Sequence, residues 1–234
     1  ATVVSRVGGS PYEFYGLQAD GVYATQAEAD KANLVNSSMQ AYQAGDVRFI
    51  DQNNDGRIDI KDRISLGSAA PDYFGGFYTN FRYRHFALSA EFAYSKGNKA
   101  YNAVRRTLES ASSFSNQSVA VSNRWSVEGQ VTDMPRATFG DAIGNNNFSS
   151  RWIEDASYLR IKNITLSYNF DKPIWNFFRS GTIYVTGENL LTATKYLGLD
   201  PEFAYSSSDN ATQGFDYAKV MQPKSVKLGI NLKF

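Results

Sequence analysis

Residues 225–234 read SVKLGINLKF. Val226, Leu228, Ile230, Leu232 and Phe234 alternate with Ser225, Lys227, Gly229, Asn231 and Lys233. Successive side chains of an extended strand point to opposite sides, so the segment predicts a strand with one apolar and one polar face. Soluble sheets alternate in the same way. The decision comes from the preceding strands, which share this length and pattern, and from how they are joined.

Working outward, a strand is expected from Tyr73 to about Arg84, with Tyr73, Phe77, Phe81 and Tyr83 opposite Tyr78, Asn80, Arg82 and Arg84. A tight connection around His85 leads into Phe86–Tyr94, where Phe86, Leu88, Ala90, Phe92 and Tyr94 oppose Ser89 and Glu91. An irregular stretch, roughly 95–155, is rich in Ser, Asn and Gly. A strand returns over Ala156–Phe170, with Ile164, Leu166, Tyr168 and Phe170 on one side. A compact turn at 171–181 brackets Trp175, Phe177 and Phe178, and a strand over Thr182–Leu190 precedes a second polar loop at 191–224. Upstream, residues 1–24 are weakly extended, and TQAEADKANLV (25–35) predicts a short surface helix.

The connections alternate long and short, with long ones at 25–72, 95–155 and 191–224. Antiparallel neighbours joined this way place every long loop at one end of the sheet, the asymmetry of outer-membrane barrels. Nine to eleven residues at about 3.3 Å each, tilted by about 40°, cover the ~25 Å apolar band. On this frame Phe81, Tyr83, Phe86, Tyr168, Phe170 and Phe234 reach the periplasmic edge, and Tyr73, Phe92 and Tyr94 the outer one. Leu88, Ala90, Ile164, Leu228 and Ile230 lie between. Aromatic rims around an aliphatic middle are the girdle pattern of a membrane barrel. Arg160 and Lys162 share the phase of Ile164, so they must lie above the bilayer, snorkel, or follow a bulge.

The chain has 234 residues, formal net charge +1, no cysteine, one histidine and 15% aromatic residues. Scattered Lys and Arg near charge balance give no case for nucleic acid. The absence of cysteine removes disulfides and thiolate metal sites. Mean hydropathy is −0.41, and no apolar run approaches the ~18–20 residues of a membrane helix, which leaves a barrel open. Five clear strands cannot close a barrel, for which about eight is the minimum, and open edges in lipid are costly. With Ala rather than Met at position 1, the expectation is a C-terminal part whose other strands come from elsewhere in the same protein.

FGGFYTNFRYRHFALSAEF (74–92), SYLRIKNITLSYNF (157–170), GTIYVTGENLLTATKYLGLDPE (181–202) and LGINLKF (228–234) together resemble the SusC/RagA-type TonB-dependent transporters. GSPYEFYGLQADGVYATQAEAD (9–30) and GDVRFIDQNNDGRIDIKDR (45–63) extend the resemblance over nearly all of residues 1–234. It implies an all-β fold, the antiparallel C-terminal strands of a transmembrane barrel of about 22 strands with long extracellular loops and a plugged lumen. It also implies import of oligosaccharides, glycans or peptides across a Gram-negative outer membrane. A SusD-like surface lipoprotein would cap the barrel, and TonB-ExbB-ExbD would act through an N-terminal plug with no match here.

Asp51-Gln-Asn53-Asn-Asp55-Gly56-Arg57-Ile58-Asp59-Ile-Lys-Asp62 follows calcium-loop spacing. Asp51, Asn53, Asp55, Arg57 (through its carbonyl), Asp59 and Asp62 are the candidate ligands, Ca²⁺ ahead of Mg²⁺. Asp62 stands where an EF-hand has Glu, and flanking helices are missing. Two readings stay open: a cation holding an external loop in shape, or an Asx-turn-rich loop without metal.

His85 reads as a surface turn residue without triad or zinc partners. Glu154 and Asp155 are adjacent in an extended segment and point apart, which argues against an acid pair. Gly75–Gly76 reads as close packing or strong twist. Tyr101, Trp125, Trp152, Tyr196, Tyr205 and Tyr217 are expected to pack the loops rather than stack on sugars. Arg82, Glu91, Glu188, Lys227, Asn231 and Lys233 are expected to form a polar wall facing plug or water. The leading function is membrane import. The alternative is a soluble calcium-dependent carbohydrate-binding β-domain, and an enzyme is disfavoured for want of a catalytic constellation.

Overall fold

A computed structural model describes residues 2–170, 179–203 and 213–233. Trp175, Phe177, Phe178, Tyr205 and Phe234 lie outside these. The chain divides into two compact units: Ala1–Ala70 with Lys99–Asp155 and Phe203–Lys219, and Pro71–Asn98 with Ala156–Glu202 and Val220–Phe234.

The second unit is a five-stranded antiparallel meander of Tyr73–Tyr83, Phe86–Lys96, Tyr158–Phe170, Ser180–Thr194 and Ser225–Lys233, each paired with its sequence neighbours. All five predicted strands are present. The fourth is longer than its pattern indicated, because Leu191 and Ala193 keep pairing with Ile161 and Leu159. Tyr83 pairs with Phe86, so Arg84 and His85 make the tight turn, with Arg84 at φ 51°. An added Cβ on Gly76 would sit 2.8 Å from the Phe92 carbonyl oxygen, which accounts for the glycine there as close packing.

The third strand carries a register shift between Ile161 and Asn163 against both neighbours. Its extra residue relative to the second strand is Lys162, since Asn163 faces Glu91 while Ile161 faces Phe92. One inserted residue reverses the facing of everything beyond it. Leu159 and Ile161 thereby join the apolar side, and Arg160 turns to the polar side beside Thr192. Of the three ways to accommodate Arg160, the chain uses the bulge.

The first unit is more ordered than its polar, irregular sequence suggested. Short strands at Val3–Val4, Glu13–Leu17 and Arg63–Ser68 form one sheet, and Lys99–Asn102 pairs with Ile153–Asp155 and Phe215–Asp216 in another. The predicted helix spans Gln26–Ala32, capped by Thr25, whose hydroxyl accepts from the Glu28 N–H, and closed by Asn33 at φ 51°. One buried cluster gathers Leu17, Tyr23, Tyr42, Val47, Phe49 and Ile58; another gathers Phe14, Tyr101, Trp152 and Phe215. Among the described residues no helix is long and apolar enough to cross a membrane.

Candidate functional site

Register across the meander fixes which side chains share a face. Phe81, Leu88, Leu166, Val185 and Leu228 stand in one continuous row over all five strands. The adjacent rows are Tyr83, Phe86, Tyr168, Ile183 and Ile230 on one side, and Thr79, Ala90, Ile164, Gly187 and Val226 on the other. Beyond the bulge the same face continues through Phe77, Phe92, Ile161 and Leu191. No charged side chain falls in these rows. Leu228 is 75% exposed, Ile230 57% and Leu88 39%, so among the described residues no second layer covers them.

That bare apolar face is the feature to be explained. A soluble sandwich buries such a face beneath another sheet, whereas a membrane barrel presents it to lipid. Its aromatics gather toward the ends. Phe86 and Tyr168 lie 5.0 Å apart near the turn, while Phe77 stacks on Phe92 at 4.3 Å and Tyr73 meets Tyr94 at 6.3 Å toward the other end. Phe81 lies one row further in than the rim expected of it, level with Leu88.

The opposite face is polar. Arg82, Glu91, Glu188, Lys227, Asn231 and Lys233 all fall on it by register. Glu188 accepts from Lys227 at 2.6 Å and from Ser225 at 2.8 Å, and the Thr165 and Thr186 hydroxyls meet at 2.8 Å. Near its outer end, buried Arg160 donates to Thr192 Oγ1 (2.9 Å), Glu202 Oε2 (2.8 Å) and Asp200 Oδ1, while Lys162 meets Glu202 at 2.6 Å. Burial pushes the Asp200 carboxyl upward, but hydrogen bonds from Arg160 and from the Gln222 and Glu202 backbone N–H groups leave it below its ordinary value. Sequence reasoning missed this pairing, since 40 residues separate Arg160 from Asp200.

In the first unit, the 51–62 loop is knit by its own carboxylates. Asp51 Oδ2 accepts from the Gly56 N–H at 2.8 Å, Asn53 Oδ1 from Asp55 at 3.0 Å, Asp55 Oδ1 from Arg57 at 3.0 Å, and Asp59 Oδ1 from Lys61 at 2.7 Å. Asp62, fully buried, accepts from the Gln52 and Asp59 N–H groups. The hydrogen bond from Asn53 is the main cause that lowers the Asp55 pKa. Asp51 Oδ1 is buried with no hydrogen-bond partner. Among the described residues no three His, Cys, Asp or Glu side chains already converge as a metal cage.

The loop aromatics mostly pack. Tyr101, Trp152 and Tyr196 are buried, and the Trp125 indole donates to the Ala24 carbonyl at 3.0 Å; Tyr217 is half exposed and stacks on Phe215. His85 lies in the exposed turn, its ring 5.8 Å from that of Tyr168. Glu154 accepts from Arg105 and Asn102 inside the first unit.

Two TonB-dependent receptors of Formosa agariphila are each 31% identical to the chain, over 233 and 239 residues, covering 97% and 100% of it. The TonB-dependent receptor SusC of Bacteroides thetaiotaomicron is 26% identical over 250 residues, covering 99%. The chain is thus similar to TonB-dependent receptors over nearly its whole length. It spans 23% of the length of each of these relatives. No protein-family model matches it. A solved chain of the RagAB peptide transporter superposes on all of it with a TM-score of 0.75 at 22% identity, using 24% of that chain; a closed-closed state of the RagAB importer gives 0.71. The chain thus shares its fold, the five-strand meander included, with a stretch of these solved barrel chains.

Proposed function

We propose that the chain forms the C-terminal part of the barrel wall of an outer-membrane importer of the SusC/RagA type. Its plug and earlier strands lie elsewhere in the same protein. The observation that carries this is the five-strand meander with one polar face and one apolar face that, over the rows from Phe77 to Tyr83, carries no charge and, among the described residues, no second layer. The whole protein imports oligosaccharides, glycans or peptides, is capped by a SusD-like surface lipoprotein, and is driven by TonB-ExbB-ExbD through its plug. The chain itself is wall, not enzyme. The test is uptake of labelled glycan and peptide oligomers by cells carrying the full-length protein. Uptake should stop when TonB is removed, and uptake that persists without TonB overturns the reading.

In the same reading, the Asp51–Asp62 loop holds a divalent cation, Ca²⁺ in preference to Mg²⁺. Support comes from the spacing, from Gly56 at φ 80°, and from the unpartnered Asp51 Oδ1. The Asx-turn bonds support a loop that stands without metal. Calorimetric titration of the chelator-treated full-length protein with CaCl₂ separates them. Heat that disappears in Asp51→Asn supports the cation, and a flat titration supports the bare loop.

A further inference from the structure

The polar face of the meander is unevenly charged. Its acids, Glu91 and Glu188, share one row with Asn163. Toward the tight turn the next rows carry no acid among the described residues. Arg82 lies two rows away, about 13 Å along the strand. Arg84 follows at the turn, where it leans over the Tyr83 ring at 5.3 Å. At the other side of the same end, the Arg179 backbone N–H donates to the Lys233 carbonyl at 2.8 Å, placing those two residues side by side.

Arg82, Arg84, Arg179 and Lys233 are all exposed, and among the described residues none forms an ion pair. Lys227, by contrast, is neutralised by Glu188. Arg84, His85 and Lys233 line one concavity of about 630 Å³ with Asn169, Thr182 and Asn231.

Arg82 and Lys233 fall on the polar face by register and Arg84 in the adjoining turn, and among the described residues they form no ion pair, while the chain's net charge is +1. Among the described residues the nearest acidic row is beyond the ~8–10 Å over which charges act at physiological salt. Rings of Arg and Lys at the mouth of a pore attract anions and raise their local concentration. We infer that the turn end of the polar face is a cationic exit rim, and that the imported cargo carries carboxylates or comparable anionic groups. This deepens the import reading and rests on it, since the polar face must be the lumen side.

The test uses the purified full-length transporter in detergent at low salt. Its probes are fluorescent tetraglutamate and tetraglutamine, and tetragalacturonate and galactotetraose, so that peptide and sugar sources of the same carboxylate chemistry are compared separately. Within at least one pair the carboxylate probe should bind roughly tenfold more tightly than its neutral partner. The preference should fade with added salt and vanish in Arg82→Gln/Lys233→Gln. Lys227→Gln, which removes a paired cation, should retain it. Equal binding within both pairs, or a preference untouched by the double substitution, overturns the inference. A heat-dependent electrophoretic shift shows that each variant barrel has folded. TonB-dependent uptake, measured in the same variants, tests the import reading separately: its loss in the wild type condemns that reading, whatever the binding preference.

Discussion

Arg160 and Asp200 form a buried ion pair, their side chains 3% and 6% exposed, across a gap of 40 residues. The bulge at Lys162 makes the pair, because without the inserted residue Arg160 would share the apolar face with Ile164. Breaking a buried pair by removing one partner leaves the other charge uncompensated and costs about 3–5 kcal/mol. Arg160→Leu should therefore loosen the Leu197–Glu202 segment in the full-length protein. Limited proteolysis should show faster cleavage there, with the strands intact. Replacing both partners, Arg160→Leu with Asp200→Leu, should recover part of the loss.

The same pair sets a pH dependence. Asp200 has its carboxyl held below the ordinary value in the folded protein. A depressed folded pKa means stability that is present above the unfolded carboxylate pKa and lost as pH falls through the folded one. Protease resistance of Leu197–Glu202 should be flat from pH 8 down to the ordinary carboxylate range and drop below it. Asp200→Asn should abolish that drop, leaving one uniformly weaker profile. A drop of the same size in Asp200→Asn would assign the transition to another group.

Lys162 should matter by its presence more than by its chemistry. Lys162→Ala keeps the bulge and loses the contact with Glu202, a partly exposed pair worth at most about 1 kcal/mol. Deleting Lys162 restores regular pairing with the second strand and rotates Arg160, Ile161 and Leu159 to the wrong sides. The substitution should assemble nearly normally, whereas the deletion should give little heat-modifiable barrel in membranes.

Much of this was legible in sequence, and the limits have physical causes. Alternation over nine or more residues announced the strands, and the two residues between Tyr83 and Phe86 announced the turn. The phase conflict of Arg160 with Ile164 flagged the bulge without locating it, because an inserted residue leaves no compositional mark. The first unit was hidden for a different reason. Its strands are two to six residues long, and its order comes from distant contacts such as the Arg136 guanidinium on fully buried Asp46 at 2.8 Å. Neither period 2 nor period 3.6 develops over such lengths. The acidic loop was visible as a motif, and its Asx-turn hydrogen bonds were one of the two readings the sequence left open.

Two glycines of the first unit separate backbone strain from crowding. Gly45 and Gly56 have φ of 84° and 80°, where an L side chain is disfavoured by roughly 1–2 kcal/mol. A Cβ on Gly56 meets nothing within 4 Å, whereas one on Gly45 lies 2.5 Å from the Trp125 ring. Gly56→Ala should lower unfolding stability by about 1 kcal/mol, and Gly45→Ala by clearly more, since the Trp125 ring is held by its bond to Ala24. Trp125→Ala in the Gly45→Ala background should relieve the excess. Equal losses for the two glycine variants, read by denaturant titration of the full-length protein with Trp fluorescence, would show that the ring yields freely.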